Sequence, residues 1–126
     1  MVVAAALLSE GRLLAAQRSY PADTAGRWEL PGGRVEEGES EQHALSRECR
    51  EELAVDVVPG VRLGPDVPLP DGGLLRVYLA VLADPAATPR ALEHRAIRWV
   101  AREQLDALDW LDADRALLPD LRGGLG

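Results

Sequence analysis

Glu48, Glu51 and Glu52 stand at i, i+3 and i+4 in the run Arg47–Val55, which reads R-E-C-R-E-E-L-A-V. On a helix, at about 100° per residue, the three carboxylates share an arc of roughly 100°. Like charges at that spacing cost a helix about 0.2–0.5 kcal/mol per pair, so a merely solvated face alternates signs more economically. Carboxylates crowded on one face suit a hard divalent cation, above all Mg²⁺, which prefers oxygen ligands and shares them with phosphates. An acidic run alone reads better as an ordinary surface helix than as a site. The segment ahead of it shifts that balance. Trp28-Glu29-Leu30-Pro31-Gly32-Gly33 reads as a short strand entering a tight turn, its glycines permitting φ > 0 and close backbone approach. Ser40 then offers an N-cap for a helix over Ser40–Leu53. Strand, glycine turn, loop and acid-faced helix together make a platform for phosphate and metal.

These residues resemble the Nudix box of the Nudix hydrolases. Gly33 is followed after five residues by Glu39, and after seven more by Arg47-Glu48-Cys49-Arg50-Glu51-Glu52-Leu53-Ala54-Val55. Every charged position of that pattern is kept. Two positions depart from it. Cys49 takes an aliphatic site, where a buried cysteine acts as a small hydrophobe. Ala54 stands where the family has glycine, and since alanine tolerates φ > 0 poorly, the helix is expected to end by another backbone route.

The rest of the chain is compatible. Its 126 residues, with no repeat, low-complexity stretch or linker, read as one domain spanning 1–126. One cysteine rules out an intrachain disulfide and fits a reducing compartment. The apolar run Val2–Leu8 is too short to span a bilayer and lacks the flanks of a signal peptide, so a cytoplasmic location and no membrane partner are expected. A net charge of −7 disfavours a nucleic-acid polymer as partner, but not an anionic nucleotide at a metal-loaded site. The chain is expected to act as a monomer or homodimer.

Apolar patterning predicts a hairpin of Val2–Leu8 and Arg12–Arg18, a polar loop over Ser19–Arg27, and strands over Val55–Leu63, Leu74–Leu82 and Ala96–Val100. Pro59-Gly60 marks a bulge, Asp84–Leu92 a loop, and Arg102–Leu108 and Ala113–Leu121 short helices. Strands mixed with helices packed on them make an α+β fold, an α/β/α sandwich. The resemblance implies the Nudix fold, a mixed sheet between helices.

The resemblance also implies roles. Glu48, Glu51 and Glu52 would bind Mg²⁺ (Mn²⁺ could substitute), with a backbone carbonyl of Gly32 or Gly33 completing the shell. Arg47 would serve the catalytic centre structurally, paired with Glu39 or Glu51. Glu52 or Glu93 would be the general base, with His94 a third choice; both Glu93 and His94 also read as plain loop residues. Arg18 would approach the substrate phosphates, or else be a solvated strand end. The hairpin, the W-E-L-P-G-G segment, Arg98-Trp99-Val100 and Leu111–Asp114 extend the likeness to small MutT-type proteins nearly end to end. The implied reaction is hydrolysis of a nucleoside triphosphate to the monophosphate and pyrophosphate.

Asp114 matches the position that reaches the base in that subfamily, where asparagine accompanies 8-oxoguanine. An ionised carboxylate only accepts hydrogen bonds, so it would repel guanine O6 and accept from cytosine N4. Cytosine nucleotides (CTP, dCTP or 5-methylated forms) are therefore the expected substrates, with 8-oxo-dGTP as the alternative through N7–H or N2–H. Asp114 reads equally as the N-cap of a helix over 115–121. Leu30, Tyr78 and Ala4 or Ala6 would line an apolar base pocket, while Trp28, Trp99 and Trp110 read as core or rim. Two other functions remain open: a noncatalytic nucleotide-sensing Nudix domain, disfavoured by intact box glutamates, and hydrolysis of ADP-ribose or a dinucleoside polyphosphate.

Overall fold

The computed structural model describes residues 1–125. β1 (Val2–Ser9) and β2 (Arg12–Gln17) form the expected hairpin, and both turn residues adopt positive φ, Glu10 at 52° and Gly11 at 74°. A two-residue turn of that hand matches the twist of the strands it joins. β3 (Trp28–Glu29) and β4 (Gly32–Arg34) follow, then α1 (Glu41–Leu53), β5 (Val57–Arg62), β6 (Val67–Pro68), β7 (Leu74–Leu82) and β8 (Ala96–Ala101). A 3-10 turn over Arg102–Ala107 and two short helices, α2 (Asp112–Arg115) and α3 (Leu118–Gly124), complete the chain.

The sheet runs β3-β2-β1-β7-β5, with β4 on β1, β6 on β7 and β8 on β2. β1 and β7 are parallel and the other strand pairs antiparallel, so the sheet is mixed. Its register is offset between Pro59 and Arg62, as the Pro59-Gly60 pair predicts. One face packs Val3, Ala5, Leu7, Leu14 and Ala80 against Ala44, Leu45, Cys49 and Leu53 of α1. The other packs Ala4, Leu13, Ala15 and Val77 against Leu105, Trp110, Leu117 and Leu121. This is the α/β/α sandwich expected.

The cleft arises from how β1 is shared. β1 pairs with β2 only at the hairpin end, Leu8↔Leu13, whereas Val2, Val3 and Ala4 pair with β4. The segment Trp28–Arg34 therefore begins on β2 (Ala16↔Glu29), crosses at Leu30-Pro31, and ends on β1 (Ala4↔Gly32). The two hairpin strands splay apart to admit it.

Several expectations are corrected. Gly32 and Gly33 lie in β4 and are not among the positive-φ residues. Their small size serves close approach instead: a Cβ on Gly32 would meet Val3 O at 2.0 Å, and one on Gly33 would meet the Glu48 carboxyl carbon at 2.3 Å. Ala54 does end α1 in the left-handed region, φ 57° and ψ 33°, donating its N–H to Arg50 O. A Cβ in that conformation costs about 1–2 kcal/mol. Ala54→Gly is accordingly expected to stabilise the fold by about 0.5–1 kcal/mol after glycine's greater entropy loss, read as a rise in the thermal midpoint with unchanged activity. The helix expected over 113–121 is two pieces, because Pro119 lacks an N–H and its ring opposes the carbonyl of Arg115.

Candidate active site

α1 begins with Ser40, whose hydroxyl oxygen accepts from the His43 N–H at 3.1 Å. Its apolar stripe is buried in the core, which turns the adjoining acidic edge toward β4. Arg47 gathers that edge. Its Nε and Nη2 donate to both carboxylate oxygens of Glu39 at 2.8 and 2.9 Å, a bidentate fork. Nη1 donates to Glu48 at 2.8 Å and, more distantly, to Glu51 at 3.4 Å, and Nη2 also reaches the Arg34 carbonyl at 3.0 Å. One guanidinium thus ties the loop, β4 and α1 together. The bond from Arg47, helped by the Glu36 N–H, holds the Glu39 carboxyl down at about 2.

Glu48 and Glu52 go the other way. Burial pushes the Glu48 carboxyl up despite its bond to Arg47, with Glu51 and Glu93 adding like charge. Glu52 is 5% exposed, and burial first, then Glu48, Glu29 and Glu93, pushes its carboxyl up to about 9. Its Oε2 is buried without a hydrogen-bond partner. Glu51 is half exposed, at 53%, and stands outside the cavities.

Two cavities meet here. A narrow one of about 230 Å³ is lined by Gly32, Gly33, Glu52, Glu93, His94, Arg18 and Glu29, among others. A wide one of about 1020 Å³ is lined by Ala4, Leu30, Arg27, Arg34, Val67, Leu75, Ala113 and Asp114, among others. Val2, Arg18, Glu29 and Gly32 line both, so the cavities form one continuous cleft. The loop bearing Glu93 reaches the narrow end because Arg90 N and Leu92 N donate to the Leu53 and Glu52 carbonyls at the α1 C-terminus. Those carbonyls lack helical partners, and the loop supplies them.

Asp114 reaches the wide end by a different route. The segment before it lies alongside β3: Trp28 N donates to Asp109 O, Leu111 N to Trp28 O, and Trp28 bridges Trp110. Arg27 secures it by donating to the Trp110 carbonyl and to Asp112. Asp114, inside α2 and 5% exposed, accepts the Leu30 N–H at 2.9 Å. It does not cap the following helix. Burial pushes its carboxyl up to about 7, against the bond from Leu30, with Glu29 adding like charge.

Tyr78 is a correction. It pairs with Ala5 rather than Ala4 and so faces α1, where its hydroxyl donates to Glu41 at 2.6 Å, on the opposite sheet face from the wide cavity. Val77 holds the register opposite Ala4. Ala6 shares the cleft face but sits in the core, fully buried. The residue composition did not single out Glu29. Its Oε1 accepts from Arg18 Nη1 at 3.0 Å and its Oε2 meets His94 Nε2 at 2.9 Å. His94, read above as a third choice of base or a plain loop residue, has a side chain only 8% exposed. An acid placed between the apolar Trp28 and Leu30 was the one available signal.

Among the described residues, no three acidic, histidine or cysteine side chains already converge as a cation cage. The donor chemistry nevertheless fits a hard cation: an orphaned buried carboxylate oxygen on Glu52 and crowded like charges that a divalent ion relieves.

The NUDIX domain model matches residues 1–121. The chain is 44% identical over 124 residues to the putative 8-oxo-dGTP diphosphatase 2 of Mycobacterium tuberculosis, covering 96% of this chain and 86% of that protein. It is 36% identical over 117 residues to the CTP pyrophosphohydrolase of Escherichia coli K12, covering 93% and 87%. The solution structure of the E. coli ORF135 protein superposes with a TM-score of 0.81 at 34% identity, covering 97% and 87%. The chain belongs to the Nudix family of hydrolases, enzymes acting on phosphoric anhydrides.

Proposed function

We propose that this protein hydrolyses a nucleoside triphosphate to the monophosphate and pyrophosphate in the cytoplasm, with Mg²⁺ held by Glu48, Glu51 and Glu52 and a carbonyl of Gly32 or Gly33. The observation that carries the reading is the buried Glu52 carboxyl, its Oε2 without a partner, at the narrow end of a cleft whose wide end holds Asp114. Bound Mg²⁺ supplies neutralisation of the polyphosphate oxygens and a polarised water. Arg47 keeps the acidic edge in place, and Glu39 orients Arg47. Arg18, at the junction of the cavities, meets the phosphates. Glu93 lines the narrow end and takes the proton from the attacking water, since Glu52 is committed to the cation. Leu30 and Ala4 give the base an apolar surface.

Cytosine nucleotides are the preferred substrates in this reading, for Asp114 buried beside Leu30 N–H suits N4 of cytosine. An oxidised guanine nucleotide is the second reading, favoured by the Mycobacterium relative's name. The pKa of about 7 separates them. Below it the protonated carboxyl donates, suiting the O6 carbonyl of guanine; above it the carboxylate only accepts. Between pH 6 and 8 the ionised fraction rises about tenfold. The protonated fraction falls by the same factor, so the kcat/KM ratio of CTP or dCTP to 8-oxo-dGTP is expected to rise by about a hundredfold, and Asp114→Asn, which donates and accepts at every pH, flattens it. A panel of nucleoside triphosphates assayed for pyrophosphate with Mg²⁺ at both pH values tests this. A ratio indifferent to pH in the native enzyme removes Asp114 from base reading.

A further inference from the structure

Three residues from three elements meet where the two cavities join. Arg18 follows β2, Glu29 ends β3, and His94 sits on the loop before β8. Glu29 is divided between the other two: Oε1 accepts from Arg18 at 3.0 Å and Oε2 meets His94 Nε2 at 2.9 Å. A carboxylate beside an arginine tends toward a two-oxygen fork, the strongest pairing available to both. Here His94 occupies the second oxygen, and the Arg18–Glu29 contact has a single bond. Arg18 Nε is buried without a partner, and the side chain lines both cavities.

We infer that His94 is a positioning residue: by holding Glu29 Oε2 it denies Arg18 the fork and keeps the rest of the guanidinium free for an anionic phosphate at the cavity junction. The inference rests on the phosphate reading of Arg18 given above. The His94 side chain is buried at 8% exposure, and the Arg95 N–H donates to the Gln17 carbonyl at 2.8 Å, which ties the loop to the end of β2. The ring therefore has little freedom to leave Glu29. Without it, Glu29 turns both oxygens onto Arg18, and the substrate must break a charge-assisted fork to reach the cation.

The test is steady-state kinetics on a small set of variants, with a nucleoside triphosphate as the probe. His94→Asn is polar but too short to reach Glu29 Oε2, and it is expected to raise KM by about tenfold, the worth of one charge-assisted bond, while kcat stays within about twofold. His94→Gln restores a long N–H donor and returns KM toward the native value. Arg18→Ala raises KM by itself, and adding His94→Asn to it changes nothing further, because His94 acts only through Arg18. An unchanged KM in His94→Asn beside a raised KM in Arg18→Ala overturns the positioning role alone. Additive losses in the double variant, or a fall in kcat with an altered pH profile, overturn it too, and mark His94 as acting on the reaction directly. An unchanged KM in Arg18→Ala instead overturns the phosphate assignment itself.

Discussion

Glu52→Gln is expected to lose kcat by on the order of 10³-fold while making the metal-free protein more stable at pH 8. The two effects share one cause. Glu52 is buried, its Oε2 has no partner, and its carboxyl is raised to about 9. The unfolded chain ionises this group near its ordinary value of 4.5. As pH rises from about 4.5 to 9, the folded state therefore binds the extra proton, and stability falls across that window. Glutamine keeps the shape, carries no charge and removes this contribution, which at pH 7–8 is on the order of 3–5 kcal/mol. The Tm of the variant should exceed that of the native protein at pH 8 and converge with it near pH 4. Added Mg²⁺ should raise the native Tm and leave the variant's nearly unmoved, because a ligand stabilises only the state that binds it. A catalytic loss without the stability gain would separate the acid from its strained burial.

Arg47→Lys is expected to lower kcat/KM by on the order of 10²-fold, with a lower Tm. The guanidinium makes the Glu39 fork, the bond to Glu48 and the bond to the Arg34 carbonyl at once. An ammonium is a point charge and cannot span three directions. Glu48 would then keep its burial and lose its chief compensating partner, so its carboxyl would rise further. The loss should therefore deepen as pH is lowered and Glu48 protonates. An Arg47→Lys enzyme with native kcat/KM and a native pH profile would leave Arg47 a bystander.

The acidic helix was legible because three signals agree in one stretch: the Ser40 cap, the apolar stripe through Leu45, Cys49 and Leu53, and the glutamate spacing. The hairpin was legible because Glu10-Gly11 is a turn with local chemistry. Tyr78 was not. The β7 sequence L-L-R-V-Y-L-A-V-L is apolar on both faces, since helices cover both sides of the sheet, and a strand buried twice loses the alternation that reports direction. Only the parallel register with β1 sets Tyr78 against Ala5 and away from the cleft. Glu29 and His94 are 65 residues apart, and no local pattern announces that they touch. The route of Asp114 to Leu30 depends on a strand-like segment that Arg27 pins in place, again a long-range event. Ala54 misled for a simpler reason. The chain keeps the left-handed helix end and bears its strain, where propensity alone argues for avoiding it.

A titration of the nucleotide-free protein with Mn²⁺, following the free-ion signal by electron paramagnetic resonance and displacing it with Mg²⁺, tests the carboxylate site most directly. The native protein should deplete free Mn²⁺ and release it to Mg²⁺, and Glu52→Gln, folded and more stable at pH 8, should leave the ion in solution. Equal depletion by native protein and variant, or none by the native protein, would contradict the assignment of the buried carboxylate to the cation.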